Sequence, residues 1–96
     1  MNQELKDKIN NAHSLMKSIE SLNEKIKLYE DFKNDKELKC KITRPETKCK
    51  NNYSYVDTIN IDNEGIILHA LIELQMQADF DRKIKESELD KIIKSI

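Results

Sequence analysis

The chain has 96 residues, 38% apolar and 36% charged, enough for one small domain that buries only about 60–65% of its extended surface. A single Gly, a single Pro and no Trp exclude a turn-rich architecture and leave a few long elements. The net charge of −1 and only two Arg argue against a general nucleic-acid binder.

That charge is unevenly spread. Residues 1–35 carry six Lys against seven acids, and residues 51–96 carry nine acids against five basic residues. Between them, Lys36, Lys39, Lys41, Arg44, Lys48 and Lys50 face only Glu37 and Glu46, a local excess of +4. Such a patch suits an anionic contact or an acidic surface of a sister subunit. Met1–Ile9 is polar and lacks the apolar stretch of a signal peptide. The longest apolar run is three residues, against the roughly 20 that span a bilayer. The expectation is a cytoplasmic chain without a membrane partner, its two Cys reduced.

Taken in order, residues 3–35 read as one long helix, free of Gly and Pro. Leu5, Ile9, Ala12, Met16 and Ile19 mark one stripe. Leu15, Ile19, Leu22, Ile26 and Tyr29 mark a second, after an apparent register change. Steps of three and four support a bundle or coiled-coil helix, and the shift argues against one continuous two-stranded zipper. About 30 helical residues would reach about 45 Å, more than a compact monomer of this mass needs.

Residues 38–61 change period and read as a β-hairpin. Leu38, Cys40 and Ile42 alternate with Lys39, Lys41 and Thr43, and Arg44-Pro45-Glu46-Thr47 suits a type I turn. Centred there, Ile42 would face Cys49 and Cys40 would face Asn51. The two Cys fit small half-buried hairpin positions, and a cross-strand disulfide needs another register. One C-x8-C pair lacks the four ligands of structural zinc, so no metal and no cofactor is expected.

Residues 62–84 read as a second helix, with Asp62 as N-cap, Glu64 in the first turn and Ile61 stapled to Ile66. Ten of the fifteen residues from Ile66 to Phe80 are apolar, on more than one face. A surface helix shows one stripe, so this one must be covered on several sides. Ile67, Leu68, Leu71, Ile72, Leu74, Met76 and Phe80 are the expected oligomer interface. His69 beside Leu68 and Ala70 is expected as a hydrogen-bonded core or interface histidine. Ser87-Glu88-Leu89-Asp90 has the form of a capping box, so 87–96 is expected as a short helical extension, an uninterrupted helix being the alternative.

The fold expected is therefore α+β, mostly α. It has a long N-terminal helix, a short β-hairpin and a second buried helix with a C-terminal extension, assembled as a homo-oligomeric helical bundle. His13 and His69 stand alone, and no nucleophile can be paired with a base, so an enzyme is not expected. The hairpin is the most informative surface. Lys39, Lys41, Arg44, Lys48 and Lys50 could hold an anion while Tyr53 or Tyr55 stacks on it. The competing reading is that the Lys residues guard strand edges against aggregation.

This layout of a long Lys/Glu-rich helix, short hairpin and second amphipathic helix resembles small bacteriophage-encoded host-takeover and anti-defence proteins. The resemblance is one of architecture and composition and carries no motif. It implies a symmetric oligomer that sequesters a small nucleotide-like signal or, alternatively, acts as an inhibitor or adaptor blocking a host protein.

Overall fold

The computed structural model describes residues 2–44, 47–48, 54–55 and 57–96, with side chains over 2–44 and 57–96. It is a helix–hairpin–helix, mostly helical. Helix α1, Gln3–Lys33, starts where the Asn2 side chain accepts the Glu4 N–H at 2.8 Å. It stops where the Asn34 N–H turns back to the Asp31 carbonyl at 3.2 Å and the Asn34 amide donates to the Glu30 carbonyl at 3.1 Å. Those bonds satisfy carbonyls that the last turn would leave open.

The half-buried positions of α1 include Leu5, Lys8, Ala12, Leu15, Ile19, Leu22, Ile26, Tyr29 and Lys33. Their steps alternate three and four without interruption, so the expected register change does not occur. Ile9 and Met16, assigned to the first stripe, are exposed instead. Lys8 and Lys33 take places in that series, laying methylene stems along the seam while their ammonium groups pair with Glu4 and Glu30.

Helix α2, Glu64–Ser95, folds back antiparallel along α1. Ile67, Leu71 and Ala78 are buried, and Gln75, Arg82, Lys85, Leu89 and Ile92 continue the same inward stripe. Two polar bridges lock the alignment. Gln75 Nε2 donates to Glu30 Oε2 at 2.8 Å, and one heptad on, Arg82 Nη1 donates to Asn23 Oδ1 at 3.0 Å. At the far end Lys8 Nζ donates to the Ser95 carbonyl at 3.1 Å.

Two expectations about α2 are corrected. Its N-cap is Asn63 and not Asp62: the Asn63 side chain accepts the Ile66 N–H at 3.1 Å. Gly65 leaves room for that cap, since a Cβ there would come within 3.3 Å of the Asn63 oxygen. The helix also runs unbroken through Ser87, so no separate extension begins there. Leu89 and Ile92 lie on the same stripe as Lys85, and a break would take them away from α1.

Between the helices lie β1 (Cys40–Thr43), β2 (Thr47–Lys48), β3 (Ser54–Tyr55) and β4 (Thr58–Ile61). β1 pairs antiparallel with β4, setting Cys40 against Ile61, Lys41 against Asn60, Ile42 against Ile59 and Thr43 against Thr58. β2 pairs with β3, setting Thr47 against Tyr55 and Lys48 against Ser54. The hairpin is present but its reversal is not at Arg44–Thr47, because pairing resumes beyond it. Residues 49–53, between β2 and β3, lie outside the described residues. The β1–β4 register places apolar residues opposite apolar ones and polar opposite polar, which the expected Cys40–Asn51 pairing would not.

Only Ile67, Leu71 and Ala78 fall below a tenth exposed among the described residues, at 7%, 8% and 6%. A fully buried Leu or Ile contributes about 1.5–3 kcal/mol, small beside a typical net stability of about 5–15 kcal/mol. The Cα extents of 60 × 39 × 14 Å explain the shortage: this is a slab one layer thick. Stable domains pack at least two layers around a core.

Candidate interaction surfaces

Part of the basic hairpin is engaged within the chain. Lys39 and Lys41 are exposed, and strand alternation puts Lys41 on the face away from Cys40 and Ile42. Arg44 is already engaged. Its guanidinium pairs with the Asp57 carboxylate, and its N–H donates to the Asp57 carbonyl at 3.2 Å. Asp57 thus offsets part of the +4 read from residues 36–50. Lys48 and Tyr55 lie on the inner ladder, with side chains outside the described residues, as are Lys50 and Tyr53 entirely. Among the described residues the expected anion site therefore reduces to Lys39 and Lys41.

Beside them, where the root of the hairpin meets the helices, is a recess of about 320 Å³. Tyr29, Phe32, Leu38, Ile67, Leu71 and Leu74 line it, and Lys39, Cys40 and Lys41 close one wall. It is apolar, of the size at the lower end of small-ligand pockets.

His69 is not in a core: its side chain is 77% exposed, with Nε2 3.8 Å from the Glu73 carboxylate on the same helix face. No group of three or more His, Cys, Asp and Glu converges among the described residues. The ionisation of Glu30 is displaced. A hydrogen bond from Lys33, then the one from Gln75, then the Lys33 charge hold its carboxyl below the ordinary carboxylate range. That makes Glu30 part of the helix–helix register. No described helix is long and apolar enough to cross a membrane.

The expected oligomer residues divide into two sets. Ile67 and Leu71 are used inside the chain, turned toward α1, and Leu74 lines the recess. Leu68, Ile72, Met76 and Phe80 are exposed, and Ile84, which sequence reasoning passed over, is exposed with them. These five are spaced at intervals of four, so they form one continuous ridge that starts at Leu68, in a recess shared with Lys33, and winds to the side of α2 away from α1. Met76 and Phe80 at its middle are 63% and 61% exposed. The signal for Ile84 was present in the sequence as the next step of that row.

No family model, no curated protein and no solved structure matches this chain.

Proposed function

We propose that this protein acts by binding, as a non-catalytic scaffold whose apolar outer surfaces are covered in an assembly in the cytoplasm. The observation that carries this reading is the one-layer slab with three buried side chains among the described residues, which leaves Leu68, Ile72, Met76, Phe80 and Ile84 exposed. Isolated apolar residues on a surface are ordinary, but a continuous row of five is the mark of a contact face. An inhibitor or adaptor that occupies a partner protein's surface fits this layout, with the hairpin as a specificity element.

The test is equilibrium unfolding followed by circular dichroism over about a hundredfold range of protein concentration. Midpoints that rise with concentration, or with an added binding partner, support the reading. A chain that is fully helical and equally stable at every concentration, with no partner, overturns it.

A second reading, capture of a small anionic nucleotide-like ligand, is favoured by one observation: Lys39 and Lys41 border the apolar recess. Native mass spectrometry of protein purified from cells should then find a retained small molecule. It should be lost in a Lys39→Ala/Lys41→Ala variant at unchanged subunit number.

A further inference from the structure

The geometry points to a specific occupant of the α2 ridge: a second copy of this chain, seated on the same ridge by a two-fold contact centred on Met76. The inference rests on the reading of the protein as an assembling scaffold and adds the face and the partner.

Area gives the first argument. A compact monomer of 11.3 kDa exposes about 5,700 Å² by the usual scaling of surface with mass, whereas this chain exposes 8132 Å². The excess, about 2,400 Å², lies at the upper end of what each partner of an obligate homodimer buries, about 1,000–2,500 Å². The radius of gyration agrees: 20.1 Å against about 12.5 Å for a compact domain of this length.

Shape gives the second. Ridges of residues four apart fit the grooves between ridges of the same kind, with the helices crossing at about 50°. A two-fold contact presents one patch to its own copy, so a single helix supplies both ridge and groove. With Met76 on the axis and α2 antiparallel to its copy, Ile72 meets the partner's Phe80 and Leu68 meets the partner's Ile84.

Charge gives the third. The row beside the ridge is His69, Glu73, Gln77 and Asp81. An antiparallel two-fold lays this row against itself reversed, bringing His69 near the partner's Asp81 and Glu73 near the partner's Gln77. Each pairing joins a donor to a carboxylate, and no like charges are opposed. The other exposed apolar residues of the helices offer no row of comparable length: α1 contributes Leu28 with Phe32 at one end and Ile9 with Met16 at the other.

Analytical ultracentrifugation of the full chain tests this, with helicity recorded on the same samples. The wild type should sediment as a dimer or a multiple of one. Met76→Glu/Phe80→Glu should weaken self-association by on the order of a hundredfold or more. Ile9→Glu/Met16→Glu, on α1, should leave the mass unchanged. As a check that does not depend on a charged variant folding, Met76→Cys in a Cys40→Ser/Cys49→Ser background should cross-link to its own copy on mild oxidation. Leu68→Cys in that background should not. A mass that falls only with the α1 pair, or cross-linking at position 68 and not at 76, overturns the assignment of the face. A wild-type chain that stays monomeric and weakly helical, and becomes helical only on meeting another protein, overturns the second copy while the scaffold reading stands. A monomer that is stably helical alone overturns both.

Discussion

Helix α2 has two apolar sides built on different plans. The inward stripe mixes Ile67, Leu71 and Ala78 with Gln75, Arg82 and Lys85, and Gln75 and Arg82 bond across to Glu30 and Asn23. The outward ridge, Leu68 to Ile84, contains no polar residue at any of its five positions. Polar groups in a seam cost stability and specify alignment, because only one register satisfies them. An all-apolar ridge contributes area and is less particular about its neighbour. The inner side therefore sets how the chain folds on itself, and the outer side would, in the proposed assembly, supply the burial that the fold lacks.

The sharpest way to break this comparison is to remove one large side chain from each side. Leu71→Ala should cost about 2–4 kcal/mol in urea unfolding at any concentration, because it opens a cavity against α1. Met76→Ala should leave the unfolding of dilute chain nearly unchanged and flatten its concentration dependence instead. Equal effects of the two in dilute solution would abolish the distinction.

Next in size is the cap. Asn63→Ala removes the acceptor for the Ile66 N–H and should lower stability by about 1 kcal/mol, whereas Asp62→Ala should change it by less than half as much. Thermal unfolding of the two variants side by side separates them.

Arg82 tests specification directly. It forms ion pairs with Asp79 and Glu86 on its own helix and bonds Asn23 on the other, yet its Nε is buried without a hydrogen-bond partner. Arg82→Met should be neutral or stabilising by up to about 1 kcal/mol, since an apolar side chain of similar length avoids that orphan. The cost should appear as slippage between helices, read as broadened amide signals of Gln75 and Asn23 in nuclear magnetic resonance. A large loss of stability would show that the seam depends on Arg82 for energy and not for alignment.

These same polar residues explain what was legible in the sequence. The helix–hairpin–helix layout was readable, because Gly and Pro are nearly absent from 3–33 and 64–95 and the period changes between them. The register of α1 was not, since Lys8 occupies a seam position and Ile9 offers a more apolar alternative one residue away. The box at Ser87-Glu88-Leu89-Asp90 is a sound local signal that loses to Leu89 and Ile92 packing in line with the rest of α2. In the hairpin, Pro45 advertised a turn, but the Ile42–Ile59 and Cys40–Ile61 pairs across the sheet outweigh it. Arg44 looked like a free cation because its partner, Asp57, lies thirteen residues away and becomes its neighbour only in that register. The exposed ridge was half visible: the excess of apolar residues was plain, while which of them turn inward depended on knowing where α1 lies.

The smallest expected effect is the one that ties the register to pH. The Glu30 carboxyl has a lowered pKa in the fold, from its bonds to Lys33 and Gln75. A group whose folded pKa lies below its unfolded value contributes stability that is fully present above the unfolded pKa. That contribution disappears as pH falls through the folded one. Because Glu30 is exposed and screened, the change should be slight and should shrink further at high salt. Unfolding curves of Glu30→Gln and wild type should therefore differ near neutral pH and converge below the ordinary carboxylate range. Glutamine keeps a hydrogen-bonding partner for Gln75 but cannot hold the charge of Lys33, so a difference that persisted in acid would assign the effect to geometry and not to ionisation.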